Sequence, residues 1–324
     1  MTSGLQKFLE GIIDYAGLFP PADLSMGEAI NNYARYRQET DNWMLSRFVC
    51  PAERLHELVL FEDILFHTPE PFRFSVLGKP SLDHGEFEKN LRETLQEITD
   101  FNHQHGSNVT TEVLELSFPQ MVLSQADHYA ALKRTGQILN ESSPVPLQVF
   151  FEVNQGDTWL HTVAEAMPAI ADFNAEHHPS GMLKQAGFKM RTGDTKSNMY
   201  PTVEEVAQVI KLSRNEDVPI KAMAGLHHPI RYFDEVHQVW VHGFFNVFLA
   251  GILAHSHRLP DIIILSILED DDPDSFFFKE DYIGWQDVRI SVDKLQAIRR
   301  EKVISVSSSS FDEPREEMIA LKLF

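Results

Sequence analysis

Four short apolar segments each carry ionisable side chains at alternate positions. EVLELS holds Glu115, LQVFFEVN holds Glu152, AGFKMRTG holds Lys189 and Arg191, and VPIKAMAG holds Lys221. If the segments are strands, successive side chains point to opposite faces. Leu114, Leu116, Val149, Phe151, Val153, Phe188, Met190, Ile220 and Ala222 then share the apolar face, and the charged residues share the other. Burying unpartnered charge is prohibitively costly, so these groups must pair with one another or hold something. A lysine beside other cations and partly desolvated loses its proton more readily, and its neutral amine can attack a carbonyl to form an imine. Lys189 and Lys221 are candidates for that amine. Arg191 stays charged, and its planar fork suits a carboxylate or phosphate. Glu152 or Glu115 can move protons. The bland alternative is a salt-bridged core of Glu115, Glu152, Lys189 and Lys221 with no chemistry of its own.

Other polar residues cluster near the same elements. His227 and His228 directly follow the VPIKAMAG strand and are candidates for substrate binding. Ser308, in the run Ser307 to Ser310 after the last strand, offers a hydroxyl to an anion, as loops after late barrel strands often do. Asn246 lines the interior if FFNVF at 244 to 248 is a strand. Asp14 and Tyr15, in DYAGLFPPA, either lid the cavity or belong to a turn that seats Phe19 in the core. His227, His228 and His242 with Glu115 and Glu152 could also be drawn as a zinc or manganese site. No H-E-x-x-H spacing supports that drawing, so neither a metal nor another cofactor is expected. His255-Ser256-His257 reads as a surface turn, and Glu269 to Asp272 as a solvated acidic turn.

The elements that must position these groups alternate between strand and helix. Strands are predicted near 44 to 49, 72 to 77, 112 to 116, 147 to 153, 186 to 191, 218 to 223 and 303 to 307, separated by amphipathic helical stretches such as 86 to 104 and 202 to 214. In the second helix Thr202 and Glu205 have capping-box spacing. With 244 to 248 supplying the eighth strand, the pattern specifies an α/β fold, a (β/α)8 TIM-type barrel. Residues 1 to 40 are read as a helical segment closing one end, and 276 to 290 as a small inserted β-hairpin. The chain of 324 residues fits one such domain, 1–324, because a barrel typically needs roughly 250 residues plus insertions.

Hydrophobic residues make up 43% and charged residues 23%, a globular composition. The formal charge of -20 disfavours nucleic acid as a partner, although a local cluster of cations can still hold a small anionic substrate. Cys50 is the single cysteine, which suits a reducing compartment. No run reaches the ~18 apolar residues of a membrane span, so the expectation is a soluble, cytoplasmic protein without membrane partners. A homo-oligomer is left open.

Residues 187 to 234, which begin GFKMRTGDTKSNMYPTVEEVAQVIKL and include VPIKAMAGLHHPI, resemble the strand-helix-strand core of deoxyribose-phosphate aldolase and related class I aldolases. That resemblance implies that Lys189 occupies the Schiff-base position and Lys221 that of a second lysine lowering its pKa. The two lie one βαβ unit apart, 32 positions (221 − 189), where such a unit takes ~30 residues. GLFPPA, KMRTG, AGLHHP and SFDEP also resemble a bacterial barrel family of unassigned function, which implies the fold but no chemistry. The expected activity is a Schiff-base carbon-carbon lyase acting on a small anionic carbonyl compound. The alternatives are a metal-dependent hydrolase or isomerase using His227, His228 and the glutamates, and a non-catalytic anion-binding barrel.

Overall fold

β-branched and aromatic runs bounded by polar turns form the strands, and amphipathic segments wind between them. A computed structural model describes residues 1–324 apart from 66–69, 157, 178–180, 194–199 and 324. The barrel strands are β1 (Ile13–Tyr15), β2 (Leu45–Pro51), β3 (Phe72–Leu77), β4 (Val109–Ser117), β5 (Gln148–Glu152), β6 (Gly187–Arg191) and β7 (Ile220–Met223), completed late in the chain by β13 (Val303–Ser308). All neighbours run parallel, and β1 closes the sheet between β13 and β2.

Helices cover the outside. The first two, α1 (Ser3–Leu9) and α2 (Met26–Tyr36), flank β1; a 3-10 run over Ala52–Phe61 and the short α3 (Glu62–Leu65) follow β2. Then come α4 (His84–His105), α5 (Gln125–Ser142), α6 (Trp159–Glu176) and α7 (Val203–Glu216). The predicted capping box at Thr202 and Glu205 is formed at the start of α7.

Between β7 and β13 the chain makes an excursion. It contains the hairpin β8 (Tyr232–Asp234) and β9 (Val239–Val241), the helices α8 (Phe244–His257) and α9 (Asp261–Glu269), the strands β10 (Phe276–Phe278), β11 (Tyr282–Trp285) and β12 (Val288–Ser291), and α10 (Val292–Glu301). The last helix, α11 (Asp312–Ala320), follows β13.

Three sequence-based expectations are corrected. The eighth strand is IDY at 13 to 15; FFNVF begins the buried helix α8 instead. A helix apolar on every side and a buried strand share one hydrophobic pattern, so periodicity does not separate them. The amino-terminal 40 residues are therefore a barrel strand between two helices, not only a helical closure. The insert at 276 to 290 is a three-stranded antiparallel sheet ordered β10-β11-β12, rather than a two-stranded hairpin.

Among the described residues, no helix is long and apolar enough to cross a membrane. Most of the core lies between the strands and the helices. A separate small cluster of Val113, Phe150 and Ile304 fills part of the barrel interior. Above and beside it the interior is polar.

Candidate active site

Three ladder slips shape that polar interior. Between Ile13 and Tyr15 of β1 the partner strand β2 advances from Leu45 to Phe48; Glu112 is the extra residue where β4 passes β3; and β13 gains a residue around 304 and 305 against β7. A bulge breaks strict alternation and re-aims side chains. Here the slips put Arg47, Glu112 and Ser305 in contact with interior charges.

The result is a continuous series of ion pairs. Arg73 grips Glu112 with two hydrogen bonds of 2.7 and 2.8 Å. Glu112 also accepts from Nε of Arg47 at 3.0 Å, and Nη1 of Arg47 lies 3.3 Å from Oδ1 of Asp14. The other oxygen of Asp14 accepts from Nζ of Lys221 at 2.9 Å and from the Ser305 hydroxyl at 2.7 Å. Lys221 donates onward to Oε1 of Glu115 at 2.5 Å, while Oε2 of Glu115 lies 2.7 Å from Nζ of Lys189. Lys189 ends the series on Glu152, 3.2 Å away, whose carboxylate also accepts from Ser117 at 2.9 Å. Ser75 donates to Glu115 at 2.6 Å. Four cations and four carboxylates thus alternate from Arg73, near the amino-terminal end of β3, to Glu152, the last residue of β5.

Lys189, Lys221, Glu115 and Asp14 are at most 3% exposed, whereas the Glu152 side chain keeps 24%. Of the two partners of Lys189, Glu152 is the one that reaches solvent. Lys189 and Lys221 are direct register partners on neighbouring strands, which is why a single carboxylate can bridge them.

Burial dominates the energetics of each group and is outweighed by its partners. It would raise the Glu115 carboxyl, but Lys189 and Lys221 pull it down to about 2. It would likewise raise Asp14, yet Lys221, Arg47 and the Ser305 hydroxyl hold that group far below the usual carboxylate range. For Lys189 burial acts to lower the pKa, but Glu115 and Glu152 outweigh it and keep the ammonium above its ordinary value. The resting Lys189 is therefore protonated. This differs from the sequence-based expectation of a lysine destabilised by neighbouring cations, because Glu115 stands between the two lysines and Glu152 pairs with Lys189 from the other side.

The structure brings together Lys189, Lys221, Glu115 and Glu152 and disperses the remaining candidates. Arg191 ends β6, partly buried, and engages neighbouring groups of the protein. Nδ1 of His227 lies 3.0 Å from Glu313, and Nδ1 of His228 lies 3.4 Å from Glu317, so both imidazoles face α11. Ser308 donates to the Ser310 carbonyl at 2.8 Å and lies 3.4 Å from His227. Asp312 and Glu313 occupy the first turn of α11, an acidic neighbourhood that disfavours an anion at Ser308. Asn246 is wholly buried in α8: its amide donates to the carbonyls of Ile267 and Asp270 and accepts from the Arg231 amide. It braces the excursion and does not line the barrel.

The imagined metal ligands are not assembled either. His242 bonds the Pro201 carbonyl at 2.8 Å, and among the described residues no three His, Cys, Asp or Glu side chains are grouped to hold an ion. His255 packs in α8 against Ser213, and burial brings its imidazole down to about 4.

Sequence reasoning missed Asp14 as an interior acid, together with Arg47, Arg73, Glu112 and Ser305. A charged residue inside each of the runs RFV, FRF and TEV was the available signal.

Neither protein-family models nor curated proteins yield a match for this chain. What the fold and site define is a closed eight-stranded parallel α/β barrel with an ionisable interior, an architecture compatible with an enzyme.

Proposed function

We propose that this barrel is a Schiff-base carbon-carbon lyase acting on a small anionic carbonyl compound, with Lys189 as the reactive amine. The observation that carries the reading is Glu115 gripping the ammonium groups of both Lys189 and Lys221, with the more exposed Glu152 as the second partner of Lys189. Because the resting Lys189 is an ammonium, it must release a proton before it can attack. Glu152, the partner of Lys189 that reaches solvent, accepts that proton as the carbonyl arrives.

The amine nitrogen then bonds to the carbonyl carbon, the oxygen is protonated, and water leaves to give the iminium ion. Glu152 next takes the proton of the substrate's β-hydroxyl. The carbon-carbon bond breaks to release an aldehyde, and its electron pair passes into the enamine. Protonation and hydrolysis free the second product and restore the amine. Lys221 keeps Glu115 ionised throughout, and that carboxylate stabilises the cationic iminium more than a neutral interior would. Arg191, at the end of β6, is the group offered to the substrate's anion.

The test is borohydride trapping with a panel of small aldehydes, ketones and 2-oxo acids, followed by peptide mapping. The expected result is one added mass at Lys189, lost in Lys189→Met. Since that substitution leaves Glu152 without a cation among the described residues and Glu115 with Lys221 alone, a Lys189→Met/Glu152→Gln double variant keeps the charge balanced and the fold intact for comparison. A panel that leaves Lys189 unmodified overturns the reading and leaves the ion pairs as the structural core of the barrel.

A further inference from the structure

At the amino-terminal end of the strands, opposite Glu152, a cavity of about 470 Å³ opens between Arg47, Thr110, Glu112, Pro146, Gln148 and Lys184. Volumes of roughly 300 to 1,000 Å³ hold small ligands, and most such sites are lined mainly by apolar groups. This one is polar around most of its wall, so its occupant must bring its own hydrogen-bonding groups. Lys184 is exposed beside the cavity and has no carboxylate partner among the described residues. Arg47, by contrast, is shared between Asp14 and Glu112. With Arg73 behind Glu112, three cations meet two carboxylates here, a local positive excess in a chain whose formal charge is -20.

We infer that this floor cavity is a second binding site, separate from the lysine centre, for a small polyhydroxylated carboxylate of the sugar-acid class. The single negative charge answers the single excess cation: the carboxylate lies between Lys184 and Arg47. Hydroxyls then meet the Thr110 hydroxyl and the Gln148 amide, which both donate and accept, and the Glu112 carboxylate, which accepts. A phosphate would bring more charge than the wall neutralises and would leave the Gln148 and Glu112 side of the cavity unmatched. The site does not depend on imine chemistry at Lys189.

Calorimetric titration of the intact chain with sodium gluconate, at fixed ionic strength, tests this directly. The expected result is one saturable site, weakened at least ~10-fold in Lys184→Gln, as loss of a charge-assisted hydrogen bond implies. Glucose, which keeps the hydroxyls and lacks the charge, is expected to bind at least ~10-fold more weakly than gluconate by the same reasoning. Lys184 is exposed, so its substitution leaves the fold unchanged, which circular dichroism checks. Absence of saturable gluconate binding overturns the inference, as does equal affinity in Lys184→Gln or equal affinity for glucose.

Discussion

Lys189 carries the chemistry proposed for this barrel, and its protonation decides how that chemistry responds to pH. Glu115 and Glu152 raise its pKa, so the neutral amine grows with pH through the alkaline range and does not saturate below the ordinary lysine value of 10.5. The rate of imine trapping is expected to climb with pH without a plateau near neutrality. In Glu152→Gln, with one carboxylate removed, the rise is expected at lower pH. A wild-type profile flat from pH 7 to 10 contradicts this assignment.

The carboxylates have the opposite linkage. Glu115 is held at about 2 against an ordinary value of 4.5, so its contribution to stability is complete above about 4.5 and is lost as pH falls toward 2. Asp14 is depressed further and extends the loss. Denaturant unfolding between pH 5 and 2 is therefore expected to show a steep fall in stability, on the order of several kcal/mol for the pair. Lys221→Met leaves Asp14 with Arg47 alone and Glu115 with Lys189 alone, and is expected to cost ~3–5 kcal/mol, the usual penalty for breaking a buried pair from one side.

At the scale of elements, α8 and the ladder slips separate what the sequence discloses from what it conceals. Seven strands were legible because each is a compact apolar run between helical stretches, and the inward placement of Lys189, Lys221, Glu115 and Glu152 followed from alternation. β1 was hidden because three residues are too few to display a period. Arg47 and Glu112 were hidden because bulges defeat alternation where they sit. FFNVF misled because α8 is buried on all sides. Asn246 illustrates the difference: it satisfies two carbonyls and one amide in the excursion. Asn246→Ala is expected to cost ~2–4 kcal/mol in denaturant unfolding by leaving those groups unpaired, with trapping at Lys189 unchanged.

Gly225, after β7, has φ +74°, and an added Cβ would sit 2.8 Å from the Cα of Gly193, after β6. Gly225→Ala must therefore push apart the loops that follow the two lysine strands. Its expected signature is a loss of trapping rate larger than its loss of stability, measured side by side.

Across the whole molecule, charge is divided between a balanced interior and an acidic exterior. The four cations and four acids of the interior series cancel, so the chain's formal charge of -20 comes entirely from residues outside it. Repulsion among exposed acids is screened by salt, with a Debye length of about 10 Å at 0.1 M, whereas buried pairs are screened far less. Thermal unfolding at pH 7 is expected to shift to higher temperature as sodium chloride rises from 10 to 300 mM. A fall would mean that surface ion pairs, rather than net repulsion, govern stability.

The position of β1 also sets an order of events. Asp14 is made early, but Lys221 and Ser305, which match its charge and hydrogen-bonding capacity, are 207 and 291 residues away. A carboxylate committed to the interior before those partners exist would have Arg47 alone to match its charge, and β1 cannot join β13 until that strand has been synthesised. Contacts of such separation form slowly. The first barrel strand to leave the ribosome is thus the last able to lock, because closure waits for β13.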